Sequence, residues 1–104
     1  MGQTIEINNT TVIDRMLMID TDRTLAGQDG EAYGGVEAAR RSVTFPGRLA
    51  VRLFEDDPGI DHVFVMSNQV AVRRFAGWDA EKASVAERVV ADFFRFYPDT
   101  PGTE

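Results

Sequence analysis

Apolar and polar residues alternate with a period of two in four stretches of the chain and recur at helical spacing in two others. Ile5 and Ile7 flank Glu6 as in a short strand, Asn8-Asn9-Thr10 is turn-like, and Val12 to Asp20 reads as a second strand. In that second run Ile13, Leu17 and Ile19 share one parity, Met16 and Met18 the other, and Arg15 is an exception on the apolar parity. The clearest signal comes later. His62 to Met66 and Gln69 to Arg73 are two alternating runs around Ser67-Asn68, which predicts a tight hairpin. A two-residue turn places Met66 opposite Gln69, Val65 opposite Val70 and Val63 opposite Val72. All four valines then share one face, while His62, Phe64, Met66, Gln69, Ala71 and Arg73 share the other; a slip of one residue would scramble this segregation.

Pro46 suits a first helical turn, and Leu49, Ala50, Leu53 and Phe54 fall on one helix face before Pro58-Gly59 ends the run. Asp79 is a good N-cap for a last helix whose apolar stripe runs through Ala83, Val85, Ala86, Val89, Val90, Phe93, Phe96 and Tyr97, with Arg95 in the last turn and Pro98 as the stop. Residues 21–42 hold Gly27, Gly30, Gly34 and Gly35 and read as a long polar loop, in which Val36 to Arg41 fits either a helical turn or a short strand. The expected fold is therefore α+β, a single four-stranded sheet with two helices on one face, in the order β-β-α-β-β-α. One domain covers residues 1–98, and residues 99–104 form a flexible tail.

Composition narrows the chemistry. A chain of 104 residues has room for one modest core. The 11 Lys+Arg against 17 Asp+Glu give a net charge of −6, the wrong sign for neutralising phosphates or docking on an anionic membrane. No run of about 18 apolar residues is present to span a bilayer. The start lacks a basic region followed by an apolar stretch, so a cytoplasmic protein is expected. With no Cys, disulfides, thiolate metal sites and a Cys nucleophile are excluded, and one His leaves little for metal binding or acid–base catalysis. No cofactor and no enzyme activity are expected.

The order of residues from about 45 to 95 resembles the N-terminal domain of Nfu/NifU-type iron–sulfur scaffold proteins. The resemblance rests on Pro46-Gly47-Arg48-Leu49-Ala50, on Arg52-Leu53-Phe54, on Gly59-Ile60-Asp61-His62-Val63-Phe64-Val65, on Val70-Ala71-Val72 and on Trp78-Asp79. Residues 3–20 match only in pattern. Asn8-Asn9-Thr10-Thr11 stands where that family has Thr-Pro-Asn-Pro, Gly47-Arg48 interrupts its Pro-Leu-Ala step, and Val70-Ala71-Val72-Arg73-Arg74 replaces a Thr-Val-Thr-Lys strand. In the family a separate Cys-x-x-Cys domain holds the cluster, and this chain ends where that domain would begin. The resemblance thus implies the accessory half, a protein-interaction module that binds no cluster itself and contacts a scaffold or carrier. It is expected to be a monomer or weak homodimer.

Parity gathers Met16, Met18, Phe64 and Met66 on the sheet face away from the valines. Such a face is either an adaptable docking surface or is covered by the loop 21–42. Arg73 and Arg74, with Arg40-Arg41, offer a basic spot for an acidic partner or serve as charged strand ends. The expected partner-binding residues are Met16, Met18, Phe64, Met66, Arg73 and Arg74. His62 reads as a strand-end surface residue rather than a ligand. Glu55-Asp56-Asp57 with Asp61 lacks the spacing of a dedicated cation loop, and the glycines of the loop lack a phosphate-binding pattern. Trp78 is read as a packing staple. The alternative function is a small-ligand or metal-binding regulatory domain using the glycine-rich loop, or a self-associating domain.

Overall fold

A computed structural model describes the backbone of residues 6–96 and the side chains through residue 93. The elements are β1 (Ile7–Ile13), β2 (Met16–Thr21), β3 (Glu31–Tyr33), α1 (Val36–Arg40), α2 (Phe45–Asp56), β4 (Ile60–Met66), β5 (Gln69–Arg74) and α3 (Ala80–Phe96). The strands form one five-stranded sheet in the order β1-β2-β5-β4-β3, with every neighbouring pair antiparallel. This corrects the expectation of four strands and two helices.

Two features account for the difference. The stretch expected as a loop contains β3, which pairs Glu31, Ala32 and Tyr33 with Val65, Phe64 and Val63, and then the one-turn helix α1. Leu25 anchors the preceding segment: it is buried in the core, and its amide donates to the Ser67 carbonyl at 2.7 Å. The first hairpin is also shifted. Its turn is Asp14-Arg15, not Asn8-Asn9-Thr10, and Asp14 takes the left-handed conformation (φ 56°) that Asp tolerates better than most residues. Arg15, the misfit in the apolar parity, is a turn residue. Ile5 and the tail 99–104 lie outside the described residues.

The β4–β5 hairpin has the expected register, Met66 opposite Gln69, Val65 opposite Val70 and Val63 opposite Val72. Burial explains its specificity: Val63, Val65, Val70 and Val72 are all fully buried, with Leu17 and Ile19 of β2 beside them. Against this face pack Ala39 of α1, Leu49, Ala50 and Leu53 of α2, and Ala86, Val90 and Phe93 of α3. Thr44 caps α2, its side chain accepting from the Gly47 amide at 3.2 Å. Asp79 caps α3 by accepting from the Lys82 amide at 2.8 Å. All three helices therefore cover one face of the sheet, and each fully buried Leu or Val stabilises the fold by about 1.5–3 kcal/mol.

Candidate functional site

Among the described residues, the opposite sheet face carries no helix. Strand register lays its side chains out in rows: Ile13, Met16, Arg73 and His62 in one; Thr11, Met18, Ala71, Phe64 and Ala32 in the next; Asn9, Asp20, Gln69 and Met66 in the third. Met16, Met18, Phe64 and Met66 are each half-buried and stand apart from the core cluster. Ala71, between Met18 and Phe64, is the one small residue of the middle row that is buried, at 5% exposure. Flexible thioethers and a phenyl ring thus flank the small Ala71, and such a surface repacks readily against a partner.

The segment 21–42 runs at the β4 edge of the sheet. It passes the β4–β5 turn and lies beside β4 as β3, turning Leu25 and Tyr33 into the core. It approaches closely at Gly30 (φ 75°), where an added Cβ would lie 2.8 Å from the tip of the Phe64 ring and 2.9 Å from the Val65 carbonyl oxygen. A glycine is required there by both conformation and space.

The two arginines of the expected site part company. Arg73 is exposed on the helix-free face, and its Nε donates to Asp61 at 2.7 Å. Arg74 faces the other way and is built into the fold. Its side chain is 13% exposed; Nε donates to Asp57 at 2.9 Å and Nη1 to the Gly77 carbonyl at 2.6 Å, and the guanidinium lies 5.7 Å from the centre of the Trp78 ring. Asp57 also accepts from the Gly59 amide, and a Cβ at Gly59 would meet Arg74 Nη2 at 2.5 Å. Arg74 is thus a structural residue and leaves the expected docking set, whose other five members share one face.

The remaining candidates resolve into local structure. Of the acidic run, Glu55 pairs with Arg40 at 3.1 Å and Asp57 with Arg74. Among the described residues no three His, Asp or Glu side chains converge to hold a metal. His62 is half-buried opposite Arg73. Trp78 does staple, but to the first hairpin: its Nε1 donates to the Arg15 carbonyl at 2.9 Å. Two groups escaped the sequence reading. Glu31, Tyr33, Ser42 and Thr44 form a hydroxyl–carboxylate network at the start of α2, with both Tyr33 and Thr44 donating to Glu31. Phe75, 71% exposed, lies under the Arg15 guanidinium at 5.2 Å. The first joins residues 31 and 44 across a loop, and the second pairs two turns, so neither shows a sequence period. A cleft between α2 and α3 is lined by Arg52, Asp56, Val85, Arg88, Val89 and Asp92, a mixture of both charges.

No helix among the described residues is long and apolar enough to cross a membrane. Comparison of the chain with protein-family models, curated proteins and solved structures finds no match.

Proposed function

We propose that this chain is a non-catalytic protein-interaction module that docks a protein partner on its helix-free sheet face. The observation that carries the reading is the set Met16, Met18, Phe64 and Met66, partly exposed together on the sheet face opposite the helices. Arg73 and Asp61 at its margin supply polar contacts that fix orientation. The partner is an iron–sulfur scaffold or carrier protein acting in the cytoplasm. Support for that assignment is the resemblance of residues 45–95 to the Nfu N-terminal domain, together with a chain that has no Cys of its own to hold a cluster. The chain's contribution is contact, bringing a cluster-bearing partner and its target together.

Completing the burial of these four partly exposed side chains contributes on the order of 1 kcal/mol each. The test is a titration of purified Cys-x-x-Cys scaffold domain into this protein by calorimetry. The expected result is binding that the double variant Met18→Glu, Met66→Glu weakens by about tenfold or more, with circular dichroism unchanged. Equal binding by the double variant, or none by the unaltered protein, would overturn the reading.

A further inference from the structure

We propose that the outer edge of β1 pairs with the same edge of a second copy of this chain, joining two sheets into one. Among the described residues no strand lies beyond β1, so its outward N–H and C=O groups form an open row. Soluble proteins ordinarily blunt such an edge with charge, proline, brevity or a β-bulge, and β1 carries one of these at its start, the register irregularity between Ile7 and Asn9. The other edge of this sheet is blunted: β3 is three residues long and opens on Glu31. β1 is seven residues long, and its sequence Ile-Asn-Asn-Thr-Thr-Val-Ile has neither a charge nor a proline, in a chain that is 27% charged. Two large apolar residues stand exposed on it, Val12 at 48% and Ile13 at 57%.

The chemistry of the strand selects its occupant. A register irregularity between Ile7 and Asn9 leaves Asn9–Ile13 as the regular ladder. An antiparallel two-fold partner must pair residues of equal parity, so that both copies keep their helices on the same side. Centring the dyad on Thr11 overlaps the whole regular ladder with itself. Thr11 then faces Thr11, Thr10 faces Val12 and Asn9 faces Ile13. No like charges meet, although each copy carries −6. The apolar Val12 and Ile13 each gain a neighbour. A ladder of five residues is short, so the dimer is weak. The inference does not depend on what docks the sheet face.

The test is sedimentation equilibrium of the full chain over a range of concentration, on unaltered protein and on Thr11→Lys and Thr11→Glu variants. Thr11 is exposed, and each variant sets like charges across the dyad. The unaltered protein is expected to shift from 11.6 kDa toward twice that mass as concentration rises. Each variant alone should weaken association at least about tenfold, and their equimolar mixture should restore it, which loss of folding cannot mimic. A second readout needs no variant: amide protons of Asn9–Ile13 that point away from β2 should gain exchange protection with concentration. A chain that stays at 11.6 kDa, a mixture no more associated than its components, or edge amides whose protection ignores concentration would each overturn the proposal.

Discussion

Replacing Asp57 by Ala should be among the most damaging single changes in this protein. Asp57 is 6% exposed in its side chain and accepts from Arg74 Nε at 2.9 Å and from the Gly59 amide at 3.0 Å. Truncation leaves the Arg74 guanidinium, itself 13% exposed, with the Gly77 carbonyl and the Trp78 ring as its neighbours. Breaking a buried pair by removing one partner costs about 3–5 kcal/mol. Arg74 retains a little access to water, which lowers the ion-pair loss to just under that range, about 2–3 kcal/mol, and the orphaned Gly59 amide adds about 1 kcal/mol. The expected loss of about 3–4 kcal/mol lowers Tm by about 12–25 °C in a domain of this size. Urea unfolding should show it as a fall in midpoint at unchanged slope. The double variant Asp57→Leu, Arg74→Met removes both charges, and it should recover to within about 1–2 kcal/mol of the unaltered protein. A loss below about 1 kcal/mol for Asp57→Ala, or single effects that simply add in the double variant, would refute the picture of a desolvated pair.

Three further changes probe other parts of the structure. Gly30→Ala forces a side chain into φ 75° and against the Val65 carbonyl, and should cost about 2 kcal/mol by urea unfolding; a neutral outcome would contradict the close approach of the Phe64 ring. Thr44→Ala removes the cap of α2 and a 2.6 Å bond to Glu31, and should cost about 1 kcal/mol, where a change within about 0.3 kcal/mol would show the cap is idle. The hydrogen bond from the Arg23 side chain holds the Asp22 carboxyl below the usual carboxylate range. Because that value is depressed in the folded state, the small stabilisation it brings is present above the ordinary Asp range and is lost as pH falls through the lowered midpoint. An NMR titration should find the Asp22 midpoint low and Arg23→Ala should raise it; no movement would exclude Arg23 as the cause.

The parts of the fold that were legible are those in which burial and period coincide. Four valines of one parity leave the β4–β5 hairpin a single register, and that register also placed Met66, Phe64 and Arg73 on the free face. The Leu49, Ala50, Leu53 and Phe54 stripe marked α2 for the same reason. β3 escaped because three residues are too few to show alternation, and its place on β4 is decided by contacts distant in sequence. The first hairpin was misread because Asp14-Arg15 lacks glycine or asparagine; the off-parity Arg15 was the available sign of the turn. Arg74 carries a similar lesson. It shares the parity of Val70 and Val72, so alternation alone puts it on the helix side, away from Arg73. Its partner Asp57 lies across the hairpin from it and has no sequence signal.

The most direct test of the helix-free face as a docking site is NMR mapping on protein labelled at its methionine methyls and backbone amides. Purified Cys-x-x-Cys scaffold domain is added stepwise. Shifts concentrated at the Met16, Met18 and Met66 methyls and the Phe64 and Arg73 amides, with Leu49, Leu53 and Val90 undisturbed, are what the account predicts. Shifts confined to α2 and α3, or a saturated complex whose methionine methyls do not move, would contradict it.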